Sequence, residues 1–139
     1  MKNKYLLSLL WVIVSGFGVL MAQEIAIIPQ PAHLIVKNES FKFGKQLKVC
    51  IASYRGDSVT LVFDSFKDDF QKATGIKVTS VHSEAKAGIV LSVNQTLAPE
   101  AYKLDVSPKQ IRIEAARPAG FYYALQTLKQ LISRHVMAG

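Results

Sequence analysis

The sequence predicts an α+β fold: a two-layer sandwich of a mainly antiparallel sheet with two helices on one face. Three observations carry this expectation. Several separate stretches alternate apolar and polar residues at period two, the pattern of strands with one solvated face. Two other stretches repeat apolar residues at spacings of three and four, which lays a single apolar stripe along a helix. The order of these stretches is strands, helix, strands, helix. Elements that are each apolar on one side bury that side by packing helices on a sheet.

The elements follow from the N-terminus. Lys2 and Lys4 precede an apolar run from Tyr5 to Val14, which leads through Ser15-Gly16-Phe17-Gly18 to Leu20-Met21-Ala22. This reads as a secretory signal peptide over residues 1–22, with a basic start, an apolar centre and a small residue at the cleavage point. A membrane anchor is the competing reading, since a span takes roughly 20 apolar residues. Ser15, Gly16 and Gly18 interrupt the run where a signal peptide is interrupted, and no basic stop follows. Cleavage after Ala22 leaves 139 − 22 = 117 residues and lowers the formal net charge from +7 to +5 by removing two lysines. The mature chain is expected to be exported, to the periplasm or beyond the cell, with no membrane association after cleavage. Its domain is expected over residues 23–133.

Ile28-Pro29-Gln30-Pro31 favours an extended opening because each proline restricts the residue before it. Strand-like pieces follow at Leu34–Val36, at Phe41 and Phe43 around Lys42, and at Leu47, Val49 and Ile51, with Gly44 as a turn. Val59, Phe63, Phe66, Phe70 and Ala73 then form the first helical stripe. Asp57 or Ser58 stands at its N-cap, and Gly75 stands where a left-handed C-terminal cap belongs. Period two returns at Ile76 and Val78, at Ile89, Leu91 and Val93, at Tyr102, Leu104 and Val106, and at Ile111, Ile113 and Ala115. Ser107-Pro108-Lys109 reads as the turn of a hairpin between the last two. Pro118-Ala119-Gly120 opens a second helix with the stripe Phe121, Leu125, Leu128 and Ile132, widened by Ala124 and Leu131. Truncating one of these leucines to Ala is expected to cost about 2–5 kcal/mol.

Chemistry-bearing residues are sparse. His33, His82 and His135 are far apart and have no second ligand at metal-site spacing, so no metal or cofactor is expected. Cys50, the single cysteine, sits in the apolar run Leu47–Ala52 and reads as a buried, inert thiol; one cysteine builds no internal disulfide. Asp64, Asp68 and Asp69 read as a solvated helix face beside Lys67 and Lys72, with Asp68 and Lys72 spaced for a weak surface pair. The lysines and arginines are scattered, without a cluster of five or an aromatic platform, which argues against a nucleic-acid partner. Asn38-Glu39-Ser40 and Asn94-Gln95-Thr96 match the glycosylation tripeptide, which matters only in a host that glycosylates exported proteins. No nucleophile elbow or phosphate loop is present. Neither a catalytic nor a substrate-binding residue is expected in the chain.

One stretch is more specific. Tyr102, Leu104 and Val106, then Ile111 and Ile113, run into Gly120-Phe121-Tyr122-Tyr123-Ala124-Leu125-Gln126-Thr127-Leu128-Lys129-Gln130-Leu131. This resembles the end of the N-terminal domain of family 20 glycoside hydrolases, the β-N-acetylhexosaminidases. There a Y-x-L-x-V strand, an I-x-I strand and a G-F/L-x-Y-G/A-x-Q-T-L-x-Q-L helix follow one another. Ile28-Pro29-Gln30-Pro31 is similar to that domain's I/L-P-x-P opening, and Ala73-Thr74-Gly75 to the end of its first helix. The leader and the lack of disulfides suit the bacterial members.

The resemblance implies that the catalytic machinery, an adjacent Asp-Glu pair and an Arg, lies in a following (β/α)8 barrel. Residues 134–139 would then begin the linker to it. The barrel is the expected partner, and the chain alone is expected to be inactive. The full enzyme would remove terminal N-acetyl-hexosamines, with the Glu protonating the leaving oxygen and the substrate's own acetamido oxygen attacking the anomeric carbon. This differs from the usual scheme of two carboxylates. The same architecture implies that the helices pack between sheet and barrel, so that Tyr122 and Tyr123, outside the sheet-facing stripe, form an apolar patch when the barrel is absent. Similar N-terminal domains precede family 84 O-GlcNAc hydrolases and some α-glucuronidases. A free-standing carbohydrate-binding module is the reading from a different class.

Overall fold

The computed structural model describes residues 33, 35, 40–52 and 57–137. The expected signal peptide, the Ile28–Pro31 opening, Leu34 and Val36, and Asn38 and Glu39 of the first glycosylation tripeptide lie outside the described residues.

Five strands form one sheet: β1 (Gln46–Ala52), β2 (Lys77–Ser80), β3 (Ile89–Val93), β4 (Tyr102–Val106) and β5 (Ile111–Ala115), in the order β2-β1-β3-β5-β4. Two helices, α1 (Asp57–Thr74) and α2 (Pro118–Met137), complete the α+β sandwich, with their apolar stripes in one core with the sheet. Strand direction departs from the expectation. β1 is parallel to both β2 and β3, and β3 is parallel to β5; only β4 and β5 pair antiparallel. Alternation in sequence reports one wet face, whereas direction is set by the connections. The 18 residues of α1 carry the chain back so that β2 starts level with β1, the crossover a parallel pair requires. The segment 81–88 then crosses the outer face of β1 and delivers β3 on its far side, pointing the same way. β4 steps to the sheet edge, and its hairpin brings β5 back between β3 and β4.

The ends of the elements follow local chemistry. Gly75 takes φ 71°, and its N–H donates to the Gln71 carbonyl at 2.9 Å, which caps α1 as its position in the sequence suggests. Asp57 and Ser58 are the first two helical residues of α1 rather than its cap. The β4–β5 turn closes with the Ser107 N–H on the Gln110 carbonyl at 3.1 Å, and the Ser107 hydroxyl donates to the same carbonyl at 2.7 Å. Pro118 opens α2 at the position where a missing N–H costs nothing. After Gly120 no proline or glycine interrupts α2 until Gly139, so its backbone stays helical to Met137, past the boundary expected after Ser133.

The core holds most of the expected stripes, with Ile132 packed at its margin and Leu131 outside it. Val59, Phe63, Phe66 and Phe70 of α1 and Phe121, Ala124, Leu125 and Leu128 of α2 are buried against Leu47, Val49, Ile89, Leu91, Ile111 and Ile113. Ala73 is exposed, because the stripe leaves the sheet before the last turn of α1. Phe41 and Phe43 form no strand. Their rings stand edge to face at 5.0 Å and pack on the core, with Phe43 5.5 Å from Phe70. Their alternation reflects side chains plugging the end of the sandwich without a ladder partner for the backbone.

Gly120 fixes how closely α2 approaches the sheet. A Cβ there would lie 2.5 Å from the Ala101 carbonyl oxygen and 2.9 Å from the Ala115 Cβ. Only glycine admits that approach without moving backbone. Seven residues on, the hydroxyls of Thr127 and Tyr102 hydrogen-bond at 2.7 Å and tie α2 to β4, and Thr127 is the buried polar residue of the described core.

Candidate functional site

The sequence-selected chemical groups do not converge. His33 and His82 are exposed, and His135 lies on α2 with its side chain outside the described residues. Asp64, Asp68 and Asp69 are exposed on α1. Among the described residues, no group of three or more His, Cys, Asp and Glu is arranged to hold a metal ion. Cys50 is buried on the outer face of the sheet, in a small cluster with Ala87 and Val90. Burial pushes its thiol pKa up, and the nearby Glu84 charge adds to the shift. It is therefore a neutral, covered thiol at neutral pH.

The expected Asp68–Lys72 pair does not form. Asp69 instead meets Lys129 of α2 at 2.6 Å. The hydrogen bond from Lys129 and then its charge hold the Asp69 carboxyl below its ordinary range against the opposing effect of desolvation, with a weaker contribution from the charge of Lys72. At Asn94 the side-chain nitrogen, the atom a glycan would join, donates to Glu114 at 2.8 Å, while its oxygen accepts from the backbone N–H and hydroxyl of Thr96.

What the fold does present is a surface. β1 and β5 run in the same direction, and each is followed by a helix that returns across the sheet, so α1 and α2 are parallel neighbours. The Asp69–Lys129 bridge sets their relative height. Eight residues back from each, 69 − 8 = 61 and 129 − 8 = 121, Leu61 stands level with the start of the Phe121-Tyr122-Tyr123 run. Leu61 is 69% exposed and Tyr122 is 49% exposed. The Tyr122 and Tyr123 rings lie edge to face at 5.6 Å. Leu61 and this tyrosine pair thus sit at the same end of the helix layer, outside the stripes that face the sheet. An exposed leucine at the same level as two amphipathic rings suits a partly apolar, partly polar contact with another folded surface.

The family model for glycosyl hydrolase family 20, domain 2, matches residues 24–138. The chain belongs to this family. A β-hexosaminidase of Vibrio furnissii is 29% identical over 111 residues, covering 80% of this chain and 17% of the relative. The solved structure of a family 20 exo-β-N-acetylglucosaminidase from Vibrio harveyi superposes with a TM-score of 0.64 at 34% identity, over 74% of this chain and 15% of that one. An N-acetyl-β-hexosaminidase from Streptomyces plicatus matches with a TM-score of 0.63 at 28% identity, over 76% and 21%. The chain thus spans about a fifth or less of these multidomain relatives, and it corresponds to their non-catalytic domain.

Proposed function

We propose that this chain is the auxiliary N-terminal domain of an exported β-N-acetylhexosaminidase, an enzyme that releases terminal N-acetyl-hexosamine residues from glycans with a catalytic (β/α)8 barrel C-terminal to this domain. The observation that carries the proposal is the match of residues 24–138 to domain 2 of a glycoside hydrolase family. The names of the relatives supply the activity. The leader over residues 1–22 supports export. The domain's own contribution is mechanical: Leu61, Tyr122 and Tyr123 offer a level contact surface for the barrel, while the rigid sheet behind them holds both helices in place.

The reading frame beyond Gly139 tests the proposal. It should encode a (β/α)8 barrel with an adjacent Asp-Glu pair. The protein carrying both domains should hydrolyse a chromogenic N-acetylglucosaminide, and the 139-residue chain should not. A different barrel, of the O-GlcNAc hydrolase or α-glucuronidase kind, would keep the architecture and overturn the activity.

A further inference from the structure

The lysines that look scattered in sequence are partly gathered by the register of the sheet. Val49 of β1 pairs with Ile89, the first residue of β3, so Gln46, Leu47 and Lys48 extend beyond the start of β3 with no strand beside them on that side. The end left open there is an open groove of about 290 Å³. Its floor is Phe41, packed near Gly88, where a Cβ would lie 3.0 Å from the ring. Lys42, Lys48, Lys86 and Lys109 line it, from four different segments of the chain, and no carboxylate among the described residues does. All four side chains are exposed, and none has an ion-pair partner among the described residues. The nearest acidic residue in sequence, Glu84, is committed elsewhere: its carboxylate accepts from both Arg112 Nη1 and Nη2 at 3.2 Å.

Four ammonium groups around one groove, unpaired among the described residues, repel each other and are relieved by an anion. Lysine contributes a compact charge with no planar fork, which suits carboxylates spaced along a flexible polymer better than the bidentate grip of one group. A nucleic-acid strand would need exposed rings on which successive bases stack. Among the described residues Phe41 is the only ring lining the groove, and it is half-buried and occupied edge to face by Phe43. Lys48 alternates with the core residues Leu47 and Val49, so it projects from the sheet face opposite the helices, away from Leu61 and Tyr122.

We propose that this groove is an accessory binding site for an acidic polysaccharide, one in which N-acetyl-hexosamine alternates with uronic acid. The choice of glycan rests on the hexosaminidase reading above. The groove would hold the polymer by its carboxylates and keep the chain end near the catalytic domain. Binding of this kind is screened by salt, since the charges are exposed.

The test is calorimetry on the full chain, with a hyaluronan decasaccharide as probe and a neutral chitin oligosaccharide of matching length beside it. The hyaluronan probe should bind and weaken about tenfold or more as salt rises from roughly 0.02 to 0.2 M, and the neutral one should not bind. Replacing Lys42, Lys48, Lys86 and Lys109 together by Gln should cut affinity at least about tenfold. Replacing the four lysines Lys67, Lys72, Lys77 and Lys103, outside the groove, should change it by less than about twofold. Equal losses in the two variants, equal binding of the neutral glycan, no binding at low salt, or stronger binding of a single-stranded oligonucleotide would each overturn the proposal. Hydrolysis of a neutral chromogenic N-acetylglucosaminide by the protein with its barrel is independent of this groove, so failure here and failure of the hexosaminidase reading are told apart.

Discussion

The two faces of the sheet are held by different chemistry. Among the described residues, the helix side buries a continuous set from Leu47 to Leu128, including four phenylalanines. The outer side buries only Cys50 and Val90 of the sheet and Ala87 of the crossing segment, and is otherwise tied by polar contacts at its surface. Arg112 bonds Glu84, the Gln110 side chain donates to the carbonyls of Glu84 and Ala87, and Asn94 bonds Glu114. Opposite charges also face each other across β4 and β5, Lys103 with Glu114 and Asp105 with Arg112. Apolar burial gains about 25 cal/mol per Å², whereas exposed ion pairs contribute about 0–1 kcal/mol. The helix side therefore decides whether the domain folds, and the outer side is free to carry surface charge at little cost.

That contrast orders the effects of substitution. Phe63→Ala, which empties a 2% exposed site between α1 and the sheet, should lower unfolding free energy by about 3–5 kcal/mol in urea titrations. Gly120→Ala should cost about 1–3 kcal/mol despite the better helix propensity of alanine, because the added Cβ meets the Ala101 carbonyl. Neutrality or stabilisation there, seen in the same titrations, would mean that α2 does not sit so close. Tyr102→Phe removes the partner of the buried Thr127 hydroxyl and should cost about 1–2 kcal/mol.

On the outer face the effects should be smaller. Arg112→Met leaves Glu84 able to reach water, since the two side chains are 40% and 46% exposed, and should cost less than about 1 kcal/mol. A loss as large as that of Phe63→Ala would erase the distinction between the faces. The smallest effect belongs to Asp69→Asn. The folded pKa of Asp69 lies below its unfolded value of about 3.9, so its contribution is present above that pH and is lost as pH falls through the folded value. The substitution should accordingly flatten the acid limb of a melting-temperature profile below about pH 4 and leave the neutral limb nearly unchanged.

Much of the fold was legible in the chain because burial writes periodicity. The two helical stripes, the five strands after Gly44, the hairpin at Ser107–Lys109 and the cap at Gly75 all carry local signals. Strand direction was not legible, since alternation at Val49 or Ile113 is the same whether the neighbour runs up or down. Phe41 and Phe43 mislead for a related reason: two rings can plug a core at period two without a strand. The Asp69–Lys129 bridge joins residues 60 apart in sequence, whereas spacing within α1 suggested only the pair of Asp68 with Lys72. The lysine groove is the clearest case. Lys42, Lys48, Lys86 and Lys109 form no run in the sequence, and only the offset of β1 against β3 brings them together. The helix-face surface was half legible, since Tyr122 and Tyr123 fall outside their stripe, while Leu61 joins them only through the parallel register of α1 and α2.

A domain that supports an active site it does not contain should be silent on its own and belong to an active whole. The most direct measurement compares turnover of a chromogenic N-acetylglucosaminide by the 139-residue chain and by the same chain extended through the reading frame that follows Gly139. The expected result is hydrolysis by the extended protein and none above the uncatalysed rate by the chain alone. Turnover by the chain itself would contradict it.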